Sequence, residues 1–361
     1  MLSDNTWCVI MAGGNGTRFW PISTVSLPKQ FLHVAGTEKS FLQNTVERFA
    51  NLVPLERTLV VTSRRFTSMV KELLPGIPEE NILQEPFNRD TAPCIALATY
   101  TILKRDPDAT MIVTPSDHII CDKSKFEQII ASVTEEICSK DVLGTIGIFP
   151  ESPDTNFGYI QTSGVPKLDE FIKVKTFTEK PDYDLAKVFI ESGDFLWNSG
   201  IFIWRAGTIR AELERLVPQV TDPFKGWQTA IDTPNQVEFL DSVYADLQNI
   251  SIDYAVMERT DRAWTYPASI GWHDIGNFES IYDILSGSGN RTNASNCLAM
   301  TKDAKGNLLL TTQDNKMIAI CGVSDAMVID TPKVTLVCPR DNKKFREFIS
   351  NLALPEFEKF R

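Results

Sequence analysis

Trp7-Cys8-Val9-Ile10-Met11-Ala12-Gly13-Gly14-Asn15-Gly16-Thr17-Arg18 is the stretch on which the fold turns. Five apolar residues in succession predict a strand buried on both faces, as in a parallel sheet. The glycines that follow at once let the backbone turn sharply and aim consecutive N–H groups at a phosphate. Neither standard nucleotide fingerprint is complete: Phe19 stands where the third glycine of G-x-G-x-x-G belongs, and no Gly-Lys-Ser/Thr follows. Downstream, Arg18 and Lys29 tether two cations to the loop, the pairing a triphosphate requires. From these residues alone the loop is either a phosphate site or a structural turn with solvated charges.

Outward from this stretch the same rhythm continues. Residues 7–11, 59–62, 111–114 and 142–148 read as strands, and residues 41–49, 91–103 and 126–137 as helices between them. The alternation predicts an α/β domain with a Rossmann-like, mostly parallel mixed sheet, whose ligands sit beyond the carboxyl ends of the strands. From 150 to 290 the pattern loosens into strands at 171–177 and 200–204 and helices at 183–191, 208–216 and 278–285, read as the substrate-side half of the same domain. After the polar stretch 286–296 come short β-runs at 307–312, 317–321, 326–329 and 334–337, closed by a charged helix from 342 to about 351. Their spacing suits either a small sheet or a few rungs of a β-solenoid. The expected organisation is a catalytic domain over 1–286 and a small C-terminal β domain over 297–361.

The 361 residues carry a net charge of −11, with 43% hydrophobic and 23% charged residues. Such a balance argues for a globular chain and against nucleic acid or anionic membrane as partners, since both attract basic surfaces. No segment reaches the ~20 apolar residues of a membrane span, and the first residues lack the features of a secretory signal. Seven scattered cysteines without a C-x-x-C pair fit a reducing cytoplasm and core packing. The three histidines, His33, His118 and His273, show no metal-ligand spacing and no evident nucleophile–base pair.

Gly13-Gly14-x-Gly16-Thr17-Arg18 with Pro28-Lys29 resembles the signature of sugar-nucleotide pyrophosphorylases, and Phe19-Trp20-Pro21 with Pro28-Lys29-Gln30-Phe31 resembles their mannose-1-phosphate guanylyltransferase branch. The likeness runs on through Glu85-Pro86-x-x-Arg89-Asp90-Thr91-Ala92-Pro93, Pro115-Ser116-Asp117-His118, Asn156-Phe157-Gly158-Tyr159-Ile160, Phe177-Thr178-Glu179-Lys180-Pro181, Trp197-Asn198-Ser199-Gly200 and Trp272-His273-Asp274-Ile275-Gly276, nearly the whole chain. It implies a fold of the nucleotide-diphospho-sugar transferase type and a reaction of GTP with mannose 1-phosphate to give GDP-mannose and pyrophosphate. The attacking phosphate oxygen is already ionised, so catalysis reduces to positioning and charge neutralisation.

The resemblance further implies roles for single residues. Arg18, Lys29, Asp117, Lys180 and Asp274 would serve catalysis, the two aspartates sharing Mg²⁺, with Mn²⁺ as an alternative. Ala12, Gly13, Gly14, Gly16, Thr17, Arg18, Lys29, Asn88, Arg89, Asp90, Thr91, Ala92, Ser116 and Asp117 would hold the nucleotide. Gly158, Tyr159, Glu179, Lys180 and Asn198 would hold the sugar phosphate. Structural readings stand beside these. Asp117 suits the cap of a helix over 123–138, and Asp274 that of the helix near 277. Asp90 and Thr91 read equally well as a helix start, Glu179 and Lys180 as a solvated pair, and Asn198 as a turn residue. A homodimer through the β domain is expected. Because the chain stops at Arg361, short of the isomerase domain of bifunctional relatives, no isomerase activity is expected. Rival readings are the same chemistry on another nucleotide and sugar, a dinucleotide-dependent oxidoreductase, and a silent nucleotide-sugar-binding regulator. The missing third glycine disfavours the oxidoreductase, and the retained Arg18, Lys29, Asp117 and Lys180 disfavour the regulator.

Overall fold

The computed structural model describes the chain except residues 15–16, 34–37, 288–291, 342–344 and 361 and the side chains of 17, 346 and 353. The chain forms two compact units, one of Met1–Gly13 with Gln43–Trp272 and one of Gly14–Leu42 with His273–Arg361.

In the first unit the apolar runs become strands β1 (Thr6–Met11), β2 (Thr58–Ser63), β3 (Ile82–Glu85), β4 (Thr110–Pro115), the short β5 (His118–Ile120), β6 (Leu143–Ile148), β7 (Tyr159–Thr162), β8 (Ile172–Thr178), β9 (Phe195–Arg205) and β10 (Ala263–Ala268). Nine of them build one sheet in the order β3-β2-β1-β4-β9-β6-β10-β8-β7. Strands β3, β2, β1 and β4 run parallel, as do β6 and β10. Between these groups β9 is antiparallel to both β4 and β6, which makes the sheet mixed. The continuous apolar reading of β1 is borne out: Cys8, Val9 and Ile10 have no solvent exposure.

Strand β9 begins before the expected 200–204, and Asn198, which reads as a turn residue before Gly200, lies inside it. Its register against β6 shifts there between Thr145 and Gly147, a bulge that carries Asn198-Ser199-Gly200 through the sheet. The helix Lys123–Cys138 shows why the flanking layers form. Phe126, Ile129, Ile130, Val133 and Ile137 recur at helical spacing and are all buried, each contributing about 1.5–3 kcal/mol through burial.

The strand β11 (Trp272–Asp274) spans the chain boundary between the units. In the second unit, β12 (Ala294–Ser295), β14 (Leu308–Thr311) and β16 (Ala326–Asp330) stack in parallel, as do β13 (Leu298–Lys302) and β15 (Met317–Cys321), while β17 (Thr335–Pro339) closes antiparallel on β16. Leu308 pairs with Met327 and Leu298 with Met317, the same interval of 19 residues. Parallel strands repeating at a fixed interval are rungs of a solenoid; a small sheet of consecutive strands would close through antiparallel hairpins. The helix expected from 342 is described over Phe345–Ser350, its first residues lying outside the described set.

Leu308, Leu309 and Ile329 fill the solenoid interior without solvent exposure. Asn307 is buried among them, and its side chain joins neighbouring turns. Its Nδ2 donates to Asn293 Oδ1 at 2.8 Å and to the Val323 carbonyl at 2.9 Å, while its Oδ1 accepts from the Ala326 amide at 3.0 Å. Asn307→Ala leaves buried backbone groups without partners, so chemical denaturation is expected to show a loss of about 1–3 kcal/mol or more, with the β-solenoid unfolding first.

Candidate active site

At the carboxyl end of β1 the backbone of Ala12 is held on both sides. Its amide donates to the Val61 carbonyl at 2.8 Å and its carbonyl accepts from the Thr62 hydroxyl at 2.9 Å. Gly13 follows, and here a side chain would be crowded, because a Cβ would lie 3.0 Å from Glu85 Oε2 and press on that buried carboxyl. Asn88 ties the loop from the same side by donating to the Gly13 carbonyl at 3.1 Å. The structure therefore brings Gly13, Glu85 and Asn88 together where β1 and β3 end.

Glu85 lies outside the set of residues expected from sequence, although the resemblance motif includes it. It is 3% exposed and its Oε1 accepts from the Tyr244 hydroxyl at 3.1 Å. Burial raises its carboxyl to about 7; the Tyr244 bond opposes that shift and the nearby Asp90 adds to it. The available signal in the sequence was an acidic residue closing an apolar strand directly before a proline.

The other residues of this segment have structural occupations. Asp90 caps the helix Thr91–Arg105, its side chain accepting from the Thr91 amide at 2.7 Å with φ of 70°. Thr91 Oγ1 accepts from the Ile252 amide at 2.8 Å, and the amide of the fully buried Ala92 donates to Ile250. Arg89 commits Nε and Nη2 to the carbonyls of Tyr244 and Ala245. The helix-start reading of Asp90 is thus the observed one.

Asp117 sits in a turn braced from several directions. The Ser116 amide donates to the Met11 carbonyl at 3.2 Å, Thr45 donates to the Ser116 carbonyl at 3.2 Å, and the buried Arg48 donates to the His118 carbonyl at 2.7 Å. Trp272 donates to His118 Nδ1 at 3.2 Å, which leaves the imidazole proton on Nε2. The helix Lys123–Cys138 is capped by Asp122, whose side chain accepts from the Lys125 amide, so the capping reading of Asp117 is set aside.

A second cluster lies where β7 begins, β8 ends and β9 bulges. A Cβ on Gly158 would fall 2.5 Å from Glu179 Oε2 and 3.7 Å from Asn198 Nδ2, so the backbone here packs against a carboxylate and an amide with no room for a side chain. Lys180 forms an ion pair with Glu179 and adopts φ of 47°, a left-handed conformation that costs a non-glycine residue about 1 kcal/mol or more. Burial pulls the Lys180 ammonium down, but the Glu179 carboxylate raises it overall. The side chain of Glu179 is buried and that of Lys180 about half exposed, which corrects the picture of a freely solvated pair. Asn198 Oδ1 accepts from the Gly200 amide at 3.1 Å, the turn role, and its Nδ2 donates to Asp253 at 2.9 Å. Tyr159 is fully buried, with its hydroxyl on the Asp154 carbonyl at 3.0 Å, so it supports the preceding loop.

In the second unit the Gly14 carbonyl accepts from Gln30 Nε2 at 2.9 Å. Gly16 and the side chain of Thr17 lie outside the described residues. Arg18 is exposed on the turn Thr17–Phe19. Phe19 packs edge-on against Phe278 at 5.2 Å, and Phe278 against Phe345 at 6.1 Å; Trp20 donates to the Phe360 carbonyl at 2.7 Å. Lys29 is buried, 5.5 Å from the ring centres of Phe19 and Phe41 and 3.7 Å from Asp274 Oδ1. Asn277 caps the helix Phe278–Ser286 by accepting from the Ser280 amide at 2.9 Å, so Asp274 does not start that helix.

Asp117 and Asp274 each offer a partly exposed carboxylate that is not a helix cap, the oxygen chemistry Mg²⁺ prefers when phosphates and water complete its shell. Among the described residues no cluster of three or more His, Cys, Asp or Glu is arranged around a metal position. Glycine backbone, cations and such carboxylates bind and neutralise phosphates, the work of an enzyme that moves a nucleotidyl group. Comparison with known proteins agrees: residues 7–290 match the nucleotidyl transferase model and residues 300–352 the MannoseP isomerase/GMP-like beta-helix domain.

The chain belongs to the nucleotidyl transferase family, among relatives named for mannose-1-phosphate guanylyltransferase. It is 36% identical over 343 residues to mannose-1-phosphate guanylyltransferase RfbM of Salmonella typhimurium, spanning 92% of this chain and 69% of the relative. It is 32% identical over 349 residues to mannose-1-phosphate guanylyltransferase of Escherichia coli, spanning 94% and 72%. A similar solved structure is that of mannose-1-phosphate geranyltransferase from Thermus thermophilus, with a TM-score of 0.86 at 29% identity over 97% of this chain and 100% of that one. The fold and family expected from the motifs are thereby borne out.

Because the folded Glu85 carboxyl titrates at about 7 against an ordinary 4.5, the folded protein holds a proton there that the unfolded chain releases; its contribution to stability falls as pH rises across that window. Tyr244→Phe removes the hydroxyl that favours the ionised form. A carboxyl carbon titration by NMR is expected to place the Glu85 midpoint higher in the variant than in the parent, and an unchanged midpoint would contradict the assigned hydrogen bond.

Proposed function

We propose that this enzyme transfers GMP from GTP to α-D-mannose 1-phosphate, giving GDP-mannose and pyrophosphate. The observation that carries the reading is the convergence, at the carboxyl ends of the parallel strands β1, β3 and β4, of a glycine loop, the buried Glu85 and the braced Asp117. Such strand ends are where open α/β sheets bind nucleotides. Guanine presents N–H donors on its pairing edge, which a carboxylate accepts, whereas adenine offers a ring acceptor there. Glu85 beside Gly13 supports guanine on that ground.

In the proposed reaction an ionised phosphate oxygen of the sugar phosphate attacks the α-phosphorus of GTP in line. The new P–O bond forms as the bond from that phosphorus to the bridging oxygen of the β-phosphate breaks, and pyrophosphate leaves with the electron pair. No side chain needs to remove a proton, so this chain's residues position and neutralise. Backbone amides of the loop Ala12 to Thr17, with Ser116, are assigned to the triphosphate, and Arg18 and Lys29 to its charge. Lys180 is assigned to the sugar phosphate, Glu179 and Asn198 to the hexose hydroxyls, and Gly158 to a close approach of backbone to the hexose. Mg²⁺, or Mn²⁺ in its place, would supply further charge neutralisation, with Asp117 and Asp274 each proposed as a ligand.

The net charge of −11 makes a local concentration of cations necessary for these anionic substrates. Among the described residues no helix is long and apolar enough to cross a membrane, and a cytoplasmic setting is proposed. We also propose residues 1–286 as the catalytic domain and 297–361 as a domain for self-association into a homodimer. Leu298, Met300 and Met317 are 72%, 60% and 48% exposed, and the β13–β15 register pairs Leu298 with Met317, an apolar ladder suited to a second copy.

Pyrophosphate release from four nucleoside triphosphates against mannose, glucose and fucose 1-phosphates should be metal-dependent and dominated by GTP with mannose 1-phosphate. Dominance of another pair replaces the substrate assignment, and silence across the panel overturns the enzymatic reading. Asp117→Asn and Lys180→Ala are each expected to lose most turnover with unchanged circular dichroism, and full turnover in either removes that residue's role. Sedimentation velocity should give twice the monomer mass, converted to monomer by Leu298→Lys with Met317→Lys; a monomeric parent would end the dimer proposal.

A further inference from the structure

Asp253 lies outside every residue set assigned above, yet it is bonded to Asn198, whose backbone amide is held by the Gly158 carbonyl. It opens a wide helical turn, Asp253–Met257, of the kind often found at functional sites. The turn is anchored firmly: Ile252, Ala255, Val256 and Met257 are all buried, and the Ile252 amide is bound by Thr91 Oγ1. Asp253 Oδ1 accepts from Asn198 Nδ2 at 2.9 Å. Asn198 Oδ1 meanwhile accepts from the Gly200 amide at 3.1 Å and from Thr145 Oγ1 at 3.3 Å, and the Asn198 backbone amide donates to the Gly158 carbonyl at 2.8 Å.

The bonds to the Gly200 N–H and to the Asp253 carboxylate demand the same amide orientation, and the Thr145 hydroxyl is compatible with it. Flipping Asn198 would turn its NH₂ toward the Gly200 N–H and its oxygen toward the Asp253 carboxylate, replacing two attractions by two repulsions. The second Nδ2 hydrogen takes its direction from the same constraint. Asp253 is also a charge partner of Lys180, alongside Glu179.

We propose that Asp253 is a positioning residue for the sugar 1-phosphate half of the site: it fixes the orientation of the Asn198 amide beside Gly158 and Glu179 and balances the ammonium of Lys180. The identity of the ligand rests on the proposed function; the orientation of Asn198 does not. The groups acting on this carboxyl are Glu179 and Lys180 just beyond β8 and Asn198 on β9; on its own segment Tyr254 acts on Lys180, and Glu258 accepts from the Glu179 amide at 3.2 Å. Burial and the like charge of Glu179 push the Asp253 carboxyl up to about 7, against the opposing effects of Lys180 and Asn198. Below that pH the carboxyl is neutral and Lys180 loses one of its two counter-charges.

The test follows the Asn198 side-chain amide by ¹⁵N NMR across pH in the parent enzyme and in Asp253→Asn. Calorimetric titration with mannose 1-phosphate and steady-state kinetics in both substrates accompany it. In the parent the Asn198 signal should move with a midpoint near 7, and the variant should lack that transition. Affinity for mannose 1-phosphate should fall about tenfold in the variant while KM for GTP changes less than about twofold. The parent-to-variant ratio of mannose 1-phosphate affinities should itself vary with pH through the same window, a comparison that cancels titration of the substrate. An Asn198 signal indifferent to pH in the parent, its persistence in the variant, or equal losses for both substrates overturns the proposal. If the parent neither binds nor converts mannose 1-phosphate, the substrate reading falls, and the Asn198 titration still decides the positioning role.

Discussion

The register of β1 against β4 is the constraint on which the nucleotide side of this molecule depends. It sets Met11 opposite Pro115, and the next residue, Ser116, donates its amide to the Met11 carbonyl. Two loops are thereby fixed side by side, one beginning at Ala12 and the other carrying Asp117. On its other edge β1 pairs with β2, and β2 with β3, which sets Ser63 opposite Glu85 and carries that carboxylate to within touching distance of Gly13. A slip of one residue would exchange inward and outward side chains on a strand buried on both faces, so the register is held by the whole core and not by the loop itself.

Two buried carboxyls, Glu85 and Asp253, titrate near pH 7 for a common reason. Each is desolvated and each feels a nearby acidic group, Asp90 in one case and Glu179 in the other. Isolated, such groups would be strongly destabilising in their charged form. Tyr244 and Asn198 provide the hydrogen bonds that offset part of that cost, Tyr244 being fully buried and Asn198 held by further bonds to Gly200 and Gly158. Perturbed carboxyls of this kind concentrate where ligands are recognised, because the arrangement is held by surrounding structure and not by its own stability.

The motifs legible in the sequence were those with a local physical cause. A five-residue apolar run predicted β1, and the glycines after it predicted a close approach that Gly13 makes against Glu85. Helical spacing located the helices Phe41–Phe49 and Phe278–Ser286 to within a residue. Capping was less legible, since several acidic or amide residues precede each helix and only one can have the required geometry: Asp122 and Asn277 hold it, not Asp117 and Asp274, whereas Asp90 does cap its helix. Strand β9 was cut short because a bulge and a turn use the same residues, Asn, Ser and Gly.

By itself the sequence determined the α/β class, the glycine loop and the change to short β-runs after residue 286, which rest on composition and spacing along the chain, while the family rested on the resemblance of its motifs. Only the tertiary structure decided that those runs are parallel rungs, that the Glu179 side chain is largely covered while it pairs with Lys180, and that Glu85 lies against Gly13 and Asp253 against Asn198. The reason is one of distance along the chain. Asp253 reaches Asn198 across 55 residues and Tyr244 reaches Glu85 across 159, and pairings so remote leave no periodicity in the sequence, because they arise only when the core brings the strands into register.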